Sequence, residues 1–314
     1  MKKWLLALVV LLSISLLGCV NQTVLYSDNL PFVLDMENDT LKILQLTDLH
    51  LTYGIDSNDR LTFDTITNLV KSDDFDLVVI TGDMSLSPSG PSLFVRLINH
   101  MESLKTPWTF VFGNHETDYH DYEDYLAKIK NTEYLYFKVG PEMQEGGVGN
   151  FVIRFDKAGV PFYNLYFLDS HAEREEYTES EGEYGYLSLS QIEWYENLVS
   201  TDSTDSVVFM HIPLRQFIDS EGYVGIFNED MVYAQGIDTG FFDAMVENGR
   251  SKGVFVGHDH LNDFYVIQQG IVLAYGRITG HNAYGNLERG GRVIEIDALG
   301  IMSTYVLLES EAIS

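Results

Sequence analysis

A chain of 314 residues with 45% hydrophobic content has the apolar material for one large folded domain or two small ones, which argues against disorder. Its 47 acidic residues against 19 basic ones leave a formal net charge of −28, and such a surface repels nucleic acid and anionic lipid unless a local cation reverses the field. One cysteine, Cys19, excludes an internal disulfide.

The first predicted element is a leader. Lys2 and Lys3 precede an apolar run from Trp4 to Leu17, followed by Gly18 and Cys19. The run falls short of the about 20 apolar residues that a membrane span needs, and residues 1–18 have the layout of a secretory signal peptide. Leu16-Leu17-Gly18-Cys19 resembles the lipobox of bacterial lipoproteins, which implies cleavage before Cys19 and a lipid on its sulfur. An uncleaved anchor and plain secretion are the alternatives, and each version places the domain outside the cytoplasm. Residues 19–40 are polar with little periodicity and read as a lipidated tether and a lead-in strand. The folded body is expected over residues 41–314.

From Leu41 onward, short apolar runs alternate with segments of helical period: Leu41–Leu46 then Leu61–Val70, Leu77–Ile80 then Ser92–Met101, Trp108–Phe112 then Tyr119–Ile129. Phe151–Phe155 and Phe162–Leu168 read as two strands paired across "DKAGVP". In "SLSQIEWYENL", Ser188 or Ser190 can cap a helix whose Ile192, Tyr195 and Leu198 share a face. Val207–Met210, Gly253–Val256, Phe264–Ile267, Ile271–Ala274, Val293–Ile296 and Thr304–Leu308 are strand-like. This alternation predicts a single α/β domain of two packed sheets with helices outside.

Polar residues stand directly after five of the apolar runs: Asp48 and His50 in "TDLH", Asp83 in "TGDM", Asn114 and His115 in "GNHE", His211 in "MHIP", and His258 and His260 in "GHDH". Ligands of open α/β sheets gather outside the carboxyl ends of strands, so these residues can share one crevice. Asp48/His50 and His258/His260, each two residues apart on an extended segment, would point the same way, and both pairs could reach one metal. Imidazole mixed with carboxylate suits Zn, Mn, Fe or Ni better than Ca or Mg. The glycines before Asp83, Asn114 and His258 fit tight turns close to a ligand.

In this order the motifs resemble those of the calcineurin-like metallophosphoesterase superfamily: Asp48-Leu49-His50, Gly82-Asp83, Gly113-Asn114-His115-Glu116, His211 and Gly257-His258-Asp259-His260. "HIPL", "GHDHLNDF", "SQIEWYENL" and "AYGNLERGGRVIEI" look most similar to the purple-acid-phosphatase-related branch. The chain departs from true purple acid phosphatases at His50 and Leu86, where those carry glycine and the tyrosine that colours ferric iron, so a purple enzyme is not expected. The resemblance implies a four-layer α/β/β/α sandwich of two mixed sheets. It also implies two divalent transition-metal ions (Mn, Zn or Fe), one held by Asp48, His50, Asp83 and His260 and the other by Asp83, Asn114, His211 and His258, with Asp83 bridging. His115 would sit beside them as the catalytic acid or phosphate-binding group, and water activated by the two ions would hydrolyse a phosphate monoester or diester.

Other residues carry weaker signals. His171 and His281 follow strands and could contact substrate, or be ordinary surface histidines; His100 and His120 read as solvated. Arg215, Arg277 and Arg289 could clamp a phosphate or pair with local carboxylates. The run "HAEREEYTESEGEYGY" reads as an exposed loop, with substrate shaping as its alternative. The expected partners are a small phosphorylated substrate and, through the lipid, a membrane; the acidity disfavours nucleic acid and hence a nuclease. A catalytically inactive extracytoplasmic binding protein on the same scaffold is the competing functional class.

Overall fold

The computed structural model describes residues 28–53 and 57–313. The expected signal peptide, Cys19 and the first part of the tether lie outside the described residues. In chain order the elements are β1 (Phe32–Asp35), β2 (Leu41–Leu46), α1 (Ser57–Val70), β3 (Leu77–Thr81), α2 (Gly90–Leu104), β4 (Trp108–Val111), α3 (Tyr122–Leu126), β5 (Phe151–Lys157), β6 (Val160–Phe167), α4 (Leu189–Thr201), β7 (Ser206–Phe209), α5 (Phe241–Asn248), β8 (Ser251–Val256), β9 (Tyr265–Gln268), β10 (Ile271–Tyr275), β11 (Gly290–Ile296), β12 (Met302–Leu308) and α6 (Glu309–Ala312).

Two mixed sheets form, in the orders β1-β5-β6-β7-β8-β10-β9 and β12-β11-β2-β3-β4. Strands β2, β3 and β4 run parallel to one another, as do β6, β7, β8 and β10. Alternation along the chain explains the layers. On β7, Val207 and Phe209 join the core that the two sheets share, while Val208 and, just beyond, Met210 pack with Tyr195 of α4 and Phe241 of α5. Helices α1 and α2 cover the five-stranded sheet through Ile66, Leu69, Leu93 and Leu97, completing an α/β/β/α sandwich. A ladder of stacked rings crosses four neighbouring strands: Phe151–Phe167 at 4.7 Å, Phe167–Phe209 at 5.4 Å and Phe209–Phe255 at 5.5 Å. Each buried phenylalanine contributes about 1.5–3 kcal/mol.

The lead-in strand pairs in parallel with β5, and ahead of it Asn29 Oδ1 accepts a hydrogen bond from Trp194 Nε1 at 3.0 Å. Ser188, not Ser190, caps α4: its Oγ accepts from Gln191 N at 3.2 Å, and Gln191 Oε1 accepts from Ser188 N at 2.8 Å.

The structure departs from expectation in two elements. The helix expected over Tyr119–Ile129 shrinks to α3, because Asp121 is extended (φ −84°, ψ 160°) and the His120 ring bonds back to the Pro88 carbonyl at 2.8 Å. The eight-residue α5, between left-handed Gly240 and Gly249, had too short a pattern to stand out; Phe241, Phe242, Ala244 and Met245 bury it.

Candidate metal centre

The parallel strands β2, β3 and β4 of one sheet and β7 and β8 of the other end at one edge of the sandwich. Gln45, fully buried in β2, ties the sheets there: its Nε2 donates to Thr81 Oγ1 and to the Val256 carbonyl, both at 2.9 Å. Beyond these ends the chain turns sharply. Asp48, His50, Asp83 and His258 have φ of 53°, 45°, 50° and 79°, values uncommon for residues with a side chain and concentrated at functional sites. The extended-segment reason for pairing Asp48 with His50 and His258 with His260 therefore fails. The turns, not strand alternation, aim these side chains.

The motif glycines admit the crowding. A Cβ on Gly113 would lie 2.2 Å from Asp83 Oδ1, and one on Gly257 would lie 2.0 Å from Thr47 Oγ1.

The expected ligand residues converge. Ligand atoms of Asp48, His50, Asp83 and His260 lie within 4.8 Å of one another, and so do those of Asp83, His211 and His258, which gives two overlapping groups sharing Asp83. His258 and His260 thus fall in different groups. Asp83 Oδ2 is 3.4 Å from His50 Nε2 and 3.3 Å from His211 Nε2, while Asp48 Oδ1 is 3.3 Å from His260 Nε2. Asn114 Oδ1 joins the second group, 3.0 Å from His211 Nε2 and 2.9 Å from His258 Nδ1.

Three buried nitrogens in this cluster, His50 Nε2, His258 Nε2 and His260 Nδ1, have no hydrogen-bond partner. An unpaired buried polar atom costs about 1–3 kcal/mol. Of the three, His50 Nε2 faces Asp83, while His258 and His260 turn their other ring nitrogens, Nδ1 and Nε2, to Asn114 and Asp48. Imidazole nitrogens gathered in this way around two carboxylates and an amide oxygen fit a pair of divalent transition ions, by donor chemistry as well as by arrangement. The residues are positioned for a binuclear metal site.

Electrostatics agree with that fit. Burial works to lower the His50 and His211 pKa values, but Asp48 and Asp83 outweigh it and push them up to about 9 and about 10. Burial and the neighbouring His211 push His258 down to about 3. Burial opposes ionisation of Asp48 and Asp83, yet the surrounding imidazoles hold both carboxylates below the usual range.

Glu116, the last residue of "GNHE", has a role that sequence reading missed. It is fully buried, and its carboxylate accepts from Gly113 N at 2.7 Å and from Asp83 N and Ser85 N at 3.1 Å each, pinning the turns that carry Asp83 and Asn114. Burial, with Asp83 nearby, pushes its pKa up to about 7. His115 is partly exposed at the rim; its Nδ1 lies 2.8 Å from Asp118 Oδ2 and its Nε2 lies 4.0 Å from Asp83 Oδ2. Asp118, three residues on, could have been found from that spacing.

The cluster opens into a cavity of 590 Å³ whose lining includes His50, Asp83, Asn114, His115, His258 and His260. Loops build the outer wall. An isolated bridge joins Glu173 to Tyr184 and brings these two residues to the cavity, while the middle of the acidic run, Glu175 to Ser180, is the exposed loop that was expected. Asn262 Oδ1 accepts from Asn228 N at 3.1 Å and Glu229 N at 3.2 Å, placing Glu229 at the mouth. Tyr184 stands edge-on to His258 at 4.3 Å, and Tyr284 lies over His260 at 4.1 Å. Leu86 lines the cavity too, so the position that could have held an iron-binding phenol is aliphatic.

His171 and His281 are not brought to this cavity. His171 lines a neighbouring space of 500 Å³, with Nε2 on Gln191 Oε1 at 3.1 Å; the His281 ring turns to Thr65 Oγ1 of α1 at 2.9 Å. The three candidate clamp arginines are engaged elsewhere: Arg215 with the carbonyls of Glu181, Gln235 and Gly236, Arg277 with Asp263 at 2.5 Å, and Arg289 with the carbonyls of Ala283 and Leu287. His100 is half-buried rather than solvated, against Phe63, and burial lowers its pKa.

Comparison with known proteins places this geometry. The chain is 27% identical over 308 residues to an Arabidopsis thaliana protein named probable inactive purple acid phosphatase 14, covering 82% of this chain and 75% of that one. It is 27% identical over 313 residues to the Saccharomyces cerevisiae phosphatase DCR2, covering 84% and 52%. Its fold is similar to that of a dimetal phosphatase from Danio rerio (TM-score 0.56, 10% identity, 85% of this chain and 98% of the other). It is also similar to a purple acid phosphatase from yellow lupin seeds (TM-score 0.52, 14% identity, 87% and 52%). The profile of the calcineurin-like phosphoesterases matches residues 41–262, a span holding all five motif segments, and the chain belongs to that family.

Proposed function

We propose that this protein is an active phosphoesterase that hydrolyses a phosphate monoester or diester with two divalent transition ions, Mn, Zn or Fe. The observation that carries the reading is the convergence of Asp48, His50, Asp83, Asn114, His211, His258 and His260 from five strand ends into two groups sharing Asp83. Ions held there would supply Lewis acidity toward the phosphoryl oxygens and lower the pKa of water. The chain's own residues do the rest. Asp48 and Asp83 supply two negative charges against four positive ones, leaving a net attraction for an anion in an otherwise acidic protein. His115 sits at the rim with Nδ1 held by Asp118, which turns Nε2 toward the cluster, where it can give a proton to the departing alkoxide. Tyr184 and Tyr284 shield His258 and His260 from bulk water.

The competing reading, an inactive binding protein, draws on the name of the Arabidopsis relative. The complete donor set and His115 weigh against it here. The test is hydrolysis of p-nitrophenyl phosphate and bis-p-nitrophenyl phosphate after loading with Mn, Zn or Fe, with Asn114→Ala as control. Metal-dependent turnover that the control loses is expected, and the ratio of the two rates assigns monoesterase or diesterase. A folded, metal-loaded protein that turns over neither ester would leave the binding-protein reading standing.

We further propose export through the leader of residues 1–18 and anchoring by a lipid on Cys19, supported by the lipobox-like Leu16-Leu17-Gly18-Cys19. Cys19→Ala should move the protein from the membrane fraction to the soluble one; unchanged fractionation would refute the anchor.

A further inference from the structure

The wall beyond the metal cluster has a composition that a phosphate-binding cleft does not need. Among the described residues, no lysine or arginine lines the 590 Å³ cavity; outside the ligand cluster and His115 the lining includes Tyr184, Tyr233, Tyr284, Glu173, Glu229 and Asp259. Neither Glu173 nor Glu229 takes part in an ion pair among the described residues. Asp259 is 3% exposed; its Oδ2 takes the Tyr275 hydroxyl at 2.6 Å, but its Oδ1 is buried with no hydrogen-bond partner. Glu229 Oε1 accepts from the Tyr284 hydroxyl at 2.6 Å, so this carboxylate sits at the edge of the ring that covers His260. Tyr184 and Tyr233 meet edge to face at 6.4 Å on the other side.

The chemistry of this wall is that of a cation receptor. Tyrosine faces attract an ammonium group through the ring quadrupole, and carboxylates beside them supply the countercharge. A second phosphate, a nucleoside polyphosphate or a nucleic-acid backbone would instead meet carboxylates with no basic residue to offset them.

Given the phosphoesterase reading above, on which this rests, we propose that the natural substrate is a phosphate ester whose alcohol carries a primary or quaternary ammonium group, received by Tyr184, Tyr233, Tyr284, Glu173 and Glu229. The phosphate is drawn to the metal cluster and the ammonium to the wall, so the ester lies along the field of the site. Glu173 and Tyr184 belong to the acidic run, which gives that run its role.

The test compares phosphocholine with its uncharged carbon isostere, 3,3-dimethylbutyl phosphate, or the corresponding methyl diesters if the aryl assay selects a diesterase. The charged ester is expected to have a kcat/KM about tenfold or more above the neutral one. In the Glu173→Gln/Glu229→Gln double variant, where glutamine keeps the acceptor oxygen for Tyr284 but removes charge, that ratio should fall toward unity. A second readout does not depend on turnover: calorimetry of choline against 3,3-dimethylbutanol, with choline the tighter ligand of the wild type and not of the double variant. Aryl-ester turnover with equal rates for charged and neutral esters, or faster turnover of glycerol phosphate, would overturn the proposal. If no ester is hydrolysed under any metal, the phosphoesterase reading fails, and the calorimetry alone decides: selective choline binding supports the cation site and equal binding removes it.

Discussion

Glu116 offers the sharpest test of how this site is held. Three backbone N–H groups, from Asp83, Ser85 and Gly113, end on its carboxylate in a place without solvent. Glu116→Ala leaves all three unpaired, at about 1–3 kcal/mol each, so a loss of about 3 kcal/mol or more is expected even if water repairs part of the network. Glu116→Gln keeps the shape. Its single carbonyl oxygen can retain Gly113 and Asp83, while its amide faces the Ser85 N–H, leaving one donor unpaired at a cost of about 1–3 kcal/mol. The pH dependence has a definite sign. Because burial and Asp83 raise the folded pKa to about 7, above the ordinary glutamate value of 4.5, ionisation of Glu116 disfavours the metal-free fold as pH rises through that window. Glutamine lacks that term, so the gap between wild type and Glu116→Gln should narrow from about pH 5 to about pH 8. Urea unfolding of the metal-free protein, followed by the fluorescence of Trp108 and Trp194, measures both quantities, and metal content after reconstitution reports the consequence for Asp83 and Asn114. A Glu116→Ala protein with wild-type unfolding free energy and full metal content would refute the reasoning.

Gly257→Ala should destabilise the protein by about 1–3 kcal/mol through overpacking and lower its metal content, since the new Cβ would lie 2.0 Å from Thr47 Oγ1 and 2.8 Å from Asp48 Oδ2; unfolding and metal analysis check it, and an unchanged variant would show that this turn yields readily. Metal loading near neutral pH should release protons from His50 and His211, whose pKa values stand at about 9 and about 10 in the metal-free protein, and none from His258, at about 3. Calorimetry in two buffers of different ionisation enthalpy counts these protons, and zero release would contradict the assigned charge states. Ser188→Ala should cost about 1 kcal/mol by removing the cap of α4; an unchanged urea midpoint would show that Gln191, through its bonds to Asn150 Oδ1 and the Asp169 carbonyl, holds the helix start unaided.

Much of the framework was legible in the chain because its signals are local. Leu41–Leu46 is an apolar run with turn residues after it, and it is β2 with the predicted limits; Leu77–Ile80 and Trp108–Phe112 differ from β3 and β4 by one residue each. The convergence of the candidate metal-site residues was legible for the same reason: each follows its strand by a few positions, so once the strands align in parallel their carboxyl ends deliver the side chains to one edge. Glycines at 82, 113 and 257 marked where backbone had to come close.

Other features depended on segments far apart in sequence, and only the tertiary structure decided them. Nothing near Glu229 marks it as a cleft residue; it is there because Asn262 captures its backbone N–H. Arginines that could have clamped phosphate were taken by carbonyls and by Asp263, pairings that periodicity does not encode. His171 and His281 follow strands as the ligands do, but their loops turn the rings to Gln191 and Thr65. Residue type and spacing determined the elements and the atoms available to hold metal, because both follow from a few neighbouring side chains. The wall around the candidate metal centre was decided by loop packing, which exists only after the two sheets have closed on each other.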